Sequence, residues 1–147
     1  MSDAEQYRAG IVAVIRNSQG HVLIFERSDF AGSWQFPQGG IEPGESARDA
    51  FFRELREEIG CDRCRILLEA AGSTRYRWRE PGRNGQVGQE HFWFLAELDP
   101  GAEPDLGNSD GCFRAWKWGA PGELLALLFP DKRAAFGEGL RMLGLLP

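Results

Sequence analysis

Cysteine, histidine and lysine are scarce in this chain, and it has no long apolar run. Three cysteines in 147 residues are too few for a disulfide framework. Cys61-Asp62-Arg63-Cys64 has the spacing of half a zinc or redox site. No second pair completes it, so structural thiols are the expectation. His21 and His91 stand in no pairing pattern, and no chemistry is assigned to them. Without a run of membrane length or a leader-like pattern at Met1–Ala9, a soluble cytoplasmic protein with no membrane partner is expected. A net charge of −5 argues against a general nucleic-acid coat.

Arginine takes the place of lysine, supplying fifteen of the 17 basic residues. Its planar fork suits phosphate contacts. Arg63, Arg65, Arg75, Arg77, Arg79 and Arg83 fall within one short span. The hydrophobic fraction of 42%, with ten Phe and five Trp, predicts a folded core. No repeat or linker divides the chain, so residues 1–147 read as a single domain.

The apolar run Ala9–Ile15 and its continuation Val22–Phe25, joined by a Gly20 turn, predict a strand pair. Arg8 and Arg27 lie at the outer ends of these strands. Ser33–Gly40, with Pro37 and Gly39-Gly40, reads as irregular. Ile66–Ala70, Thr74–Trp78, His91–Leu98 and Phe113–Trp118 read as strands. Glu80–Gly88 and Asp99–Gly111 read as loops, and Pro121–Leu128 and Lys132–Leu143 as helices. Most strands are not separated by helices, which argues against a doubly wound parallel sheet.

The central stretch is Gly39–Cys61. Pro43-Gly44 is a turn signal, Ser46 an N-cap with Asp49 three residues on, and Gly60 a C-cap. Between them Glu54, Glu57 and Glu58 stand at i, i+3 and i+4, so their carboxylates share one helix face. Phe51, Phe52, Leu55 and Ile59 form a separate packing stripe. Like charges one turn apart cost a few tenths of a kcal/mol unless neutralised. Hard divalent cations want such oxygen ligands. A solvated helix with an Arg53–Glu57 pair is the plainer alternative.

Gly39, five residues, Glu45, seven residues, then Arg53-Glu54-Leu55-x-Glu57-Glu58-x-Gly60 resembles the Nudix box at its fixed polar and glycine positions. Cys61 departs from the aliphatic residue preferred there. The resemblance implies an α/β/α sandwich around a mixed β-sheet. It also implies magnesium, with manganese able to substitute, held by Glu54, Glu57, Glu58 and the Gly39 carbonyl. Glu57 or Glu58 would be the base. Arg53 would orient a catalytic carboxylate by a bidentate contact, and Glu45 would fix the loop–helix geometry.

Outside the box, Tyr7-Arg8, Trp34-Gln-Phe-Pro-Gln-Gly-Gly-Ile41, Gly88-Gln89 with Phe92-Trp-Phe-Leu95, Phe113-Arg-Ala-Trp-Lys-Trp118 and Lys132-Arg133 resemble one branch of that family. It contains the bacterial RNA 5′-pyrophosphohydrolases and diadenosine tetraphosphate hydrolases. That resemblance implies phosphoanhydride hydrolysis in a nucleoside polyphosphate or at an RNA 5′ end. Arg8, Arg27, Trp34, Gln35, Tyr76, Gln89 and Lys132 become substrate-binding candidates. The aromatic members have a packing reading too. Two departures matter. Cys112 stands where the branch has a Glu, so either Glu103, Asp105 or Asp110 supplies a carboxylate from the loop or the activity rests on the box residues alone, and Phe136 replaces a Tyr. Another Nudix substrate (a damaged nucleoside triphosphate or a nucleotide sugar) and a catalytically weak nucleotide-binding regulator are the rival readings.

Overall fold

The computed structural model describes residues 6–147, apart from the Arg83 side chain. The first five residues of the stretch searched for a leader therefore lie outside it. Seven strands form one mixed sheet: β1 (Tyr7–Arg16), β2 (Val22–Arg27), β3 (Trp34–Gln35), β4 (Gln38–Gly40), β5 (Cys64–Arg77), β6 (Gly88–Leu98) and β7 (Phe113–Gly119). The order is β3-β2-β1-β6-β5, with β4 added to β1 and β7 to β2. Among the described residues only β1 and β6 are parallel, in register from Tyr7↔Gly88 to Arg16↔Glu97. Among the described residues, α1 (Ala47–Ile59), α2 (Glu123–Leu127) and α3 (Pro130–Met142) cover the sheet.

Strand periodicity explains why the run in β1 is apolar throughout. Ile11, Ala13 and Ile15 face the core under α1, with Phe51, Leu55 and Ile59. Val12 and Val14 face the opposite core, with Leu124, Phe136 and Leu140. A strand covered on both sides cannot alternate with polar residues. The result is the three-layer sandwich that the resemblance implied.

The expected strand pair with its Gly20 turn is present but short, and three other local expectations need correction. β1 and β2 meet only at Arg16↔Val22, so the hairpin opens at once. β4 then occupies β1 at Gly10, Ile11 and Val12, while β2 turns to β3 and β7. The segment read as irregular is two short strands divided by Pro37, which has no N–H to give a ladder. Ile66–Ala70 and Thr74–Trp78 are one strand, because register shifts within 66–73 absorb the small residues that looked like a break. The helix expected over Pro121–Leu128 is confined to α2, since Leu128 already has extended backbone.

His91 is buried on β6 at 2% exposure, and its Nδ1 has no partner among the described residues. Burial, with Lys132 and Arg8 nearby, pushes its pKa from 6.5 down to about 3. The unfolded chain therefore binds a proton that the folded chain refuses. This group's contribution to stability is intact above 6.5 and is lost as pH falls toward 3, at a limiting slope of about 1.4 kcal/mol per pH unit. His91→Gln should flatten that dependence, read as the difference in urea-unfolding free energy between parent and variant over this range. Parallel profiles would refute it.

Candidate active site

Both ends of α1 are built as the sequence suggests. Ser46 Oγ accepts the Asp49 N–H at 3.0 Å, and Gly60 closes the helix at φ 66°. Phe51, Leu55 and Ile59 are fully buried against the sheet. That packing carries Glu54 and Glu58 inward, to 8% exposure each, while the Glu57 side chain stays 49% exposed. β4 crosses directly over them. A Cβ on Gly39 would fall 2.1 Å from Glu54 Cδ, so no larger residue fits. The Gly39 carbonyl lies against Gly10, where a Cβ would sit 2.7 Å from its oxygen. Glu58 has both oxygens engaged: Oε1 accepts the Gln38 N–H at 2.8 Å, and Oε2 faces the Cys112 thiol at 3.6 Å.

Arg53 ties these parts together. Its bidentate partner is Glu45, with Nε–Oε2 at 2.8 Å and Nη2–Oε1 at 2.9 Å. Nη2 also donates to the Gly40 carbonyl at 2.8 Å. Nη1 reaches Glu54 at 2.8 Å and Glu57 at 3.2 Å. The bidentate contact expected to orient a catalytic carboxylate is made to Glu45, while Glu54 and Glu57 each receive a single contact. Glu45 also accepts the Glu42 N–H, which closes the turn before α1.

The electrostatics are unbalanced. Arg53 holds Glu45 down to about 2. Burial, then the Glu54 charge, pushes Glu58 up to about 9. Burial also raises Glu54, with Glu57 and Asp110 adding to the effect. Of the three loop carboxylates left open by the sequence, Asp110 is the one beside Glu54 and Glu58. Its N–H donates to the Glu57 carbonyl at 2.7 Å. Asp105 instead bonds the Ile59 carbonyl, and Glu103 lies with it around Gly60. Among the described residues, no three acidic, histidine or cysteine side chains stand close enough to enclose an ion. Glu54 and Glu57 are drawn to Arg53. The donors are nevertheless oxygens that repel one another in a buried setting, a chemistry that fits a hard divalent cation.

Strand direction brings most substrate candidates to one end of the sheet: Arg8 and Gln89 at the starts of β1 and β6, Arg27 and Tyr76 at the ends of β2 and β5. Arg27 and Gln35 share a cavity of about 360 Å³ with Asp29, Glu58 and Cys112. Tyr76 and Lys132 line a second, of about 330 Å³, with Trp78, Arg79 and Phe129. The Arg8 guanidinium lies against Gly40, where a Cβ would be 2.5 Å from Nη2. Gln89 Nε2 donates to the Arg8 carbonyl at 3.0 Å.

Trp34 lies outside both cavities. Its neighbour Gln35 points to the α1 side, so the pleat sends Trp34 to the other, where Lys117 sits 4.8 Å from its ring. Asp29 and Phe129 were not singled out from sequence; only the chain's turns place them beside Arg27 and Lys132. Phe136, in place of a Tyr, is a fully buried packing residue. Cys61 and Cys64 pack at the core under α1 as free thiols. Burial raises Cys64 to about 12, which leaves it inert.

The model of the NUDIX domain matches residues 6–138. An RNA pyrophosphohydrolase of Psychrobacter sp. (strain PRwf-1) is 38% identical, over 97% of this chain and 87% of that protein. Another from Escherichia coli is 39% identical, over 80% of this chain and 72% of its own length. The solved structure of the E. coli dihydroneopterin triphosphate pyrophosphohydrolase overlays with a TM-score of 0.70 at 23% identity, covering 90% and 95% of the two chains. At that identity the overlay speaks for the fold alone. With the box on α1 and the match spanning nearly the whole chain, this protein belongs to the NUDIX family.

Proposed function

We propose that the chain hydrolyses a phosphoanhydride bond at the 5′ end of triphosphorylated RNA, with the α1 carboxylates as its catalytic group. The observation that carries this reading is Glu58. It is a buried carboxylate that opens into the same cavity as Arg27 and Gln35. Attack on phosphorus needs charge neutralisation and in-line positioning more than covalent help. A bound magnesium ion would supply the charge that polarises phosphate oxygens and lowers the pKa of water. Glu54, Glu57 and Glu58, with the Gly39 carbonyl, would hold it. Arg53 and Glu45 keep the turn and helix in one geometry. Arg8, Arg27 and Lys132 would take the phosphates, while Tyr76 lines the second cavity and Gln89 holds the Arg8 backbone.

The substrate class rests on relatives named RNA pyrophosphohydrolase at 38% and 39% identity. A second cavity with Tyr76, Trp78 and Phe129 also gives room for another nucleoside, so dinucleoside polyphosphates are the second reading. A panel of 5′-triphosphorylated RNA, diadenosine polyphosphates and nucleotide sugars, scored by product chromatography with magnesium, separates these. Faster turnover of a nucleotide sugar would overturn the assignment.

Glu58→Gln keeps shape and the Gln38 contact but removes charge. It should slow turnover roughly a thousandfold, while circular dichroism stays that of the parent. Parental turnover in this variant would remove Glu58 from the mechanism. Cys112→Ser should change activity little, and Cys112→Glu should raise activity or magnesium affinity modestly. Near-complete loss in the serine variant, with the fold intact, would make the thiol essential.

A further inference from the structure

Arg27 is already occupied. Its Nε donates to Asp29 Oδ1 at 2.8 Å and its Nη2 to Oδ2 at 2.6 Å. These are the two parallel donors that a phosphate would use. Asp29 is the more exposed partner, at 67% against 32%, and both residues line the cavity that holds Glu58.

The backbone beneath the pair is pinned. Arg27 N–H donates to the Ser33 carbonyl and Ser28 N–H to the Cys112 carbonyl. Ser28 Oγ donates to the Gly111 carbonyl at 2.6 Å. Glu26 accepts the Gly32 N–H and both arms of Arg114. The turn therefore stays in place while the Asp29 side chain can swing outward. Lys132, on the neighbouring cavity, is near enough to Arg27 for the two charges to interact.

We propose that Asp29 is an internal gate on Arg27: in the free protein its carboxylate fills the guanidinium fork that a substrate phosphate takes. Binding then exchanges one anion for another, and Asp29 sets a threshold that a multiply charged polyphosphate passes and a weakly charged anion does not. The gate deepens the reading of this cavity as a polyphosphate site and rests on it.

The test is a double-mutant cycle of Asp29→Asn and Arg27→Ala. It reads KM for 5′-triphosphorylated RNA and, separately, the inhibition constant or calorimetric affinity of inorganic tripolyphosphate. An exposed ion pair is weak, so Asp29→Asn should lower KM and tighten tripolyphosphate by about two- to fivefold. In the Arg27→Ala background the same change should alter neither. A higher KM in Asp29→Asn would mean that Asp29 aims Arg27 productively, and overturns the gate. An equal gain without Arg27 would reduce it to a general loss of negative charge, which also overturns it. Arg27→Ala with the parental KM sinks the gate but not the hydrolase reading. If the parent turns over no triphosphorylated RNA, that reading fails, and the tripolyphosphate arm decides the gate alone.

Discussion

Everything in the candidate site hangs on the Arg53 guanidinium. Arg has five N–H donors, and here each finds an oxygen: Glu45 twice, Gly40, Glu54 and Glu57. Those partners come from a turn, a strand and the helix itself, so one side chain fixes the distance between β4 and α1. The fork is rigid, and a lysine could offer neither the bidentate grip on Glu45 nor the reach to Gly40. It also balances Glu54, which would otherwise be a buried carboxylate without a partner. The close passage of Gly39 over Glu54 depends on that arrangement.

The site is thus assembled from two loosely related pieces, a capped helix and a three-residue strand, welded by polar contacts. Apolar packing alone would place α1 on the sheet but would leave its rotation free by a few degrees. Gln38 N–H to Glu58 and Arg53 to Gly40 remove that freedom. Preorganisation of this kind lets a mechanism rely on charge placement alone.

The helix was the most legible part of the chain. Its caps, stripe and carboxylate face follow from local rules, and each is where spacing put it. Gln35 and Trp34 show where legibility stops. They are adjacent in sequence and look equally suited to a ligand, yet the pleat of a two-residue strand sends one to the cavity and the other away. Asp110 was one of three equivalent loop acids until the Glu57 carbonyl captured its N–H. Asp29 gave no signal at all, because its role comes from a short-range pairing within a turn, where aspartate is ordinary. The early opening of the β1–β2 hairpin has the same origin: β4 competes for the edge of β1, and competition between distant segments is not written in either one.

Charge makes the last connection. The chain as a whole carries −5, yet the end of the sheet beside the box gathers Arg8, Arg27 and Lys132. Lys132 is half-buried in the first turn of α3, where the helix dipole disfavours a cation. Burial and then Arg27 lower its pKa. In the cavity that Arg27 lines, burial and Glu54 raise Glu58. Neither arrangement is what stability would choose: one side holds cations that repel, the other carboxylates that repel. In the proposed substrate complex a polyphosphate would balance the cations and a divalent ion the carboxylates. A protein that only packed its core would have no reason to keep Arg27 and Glu58 on one cavity, and a hydrolase of charged anhydrides has reason for each.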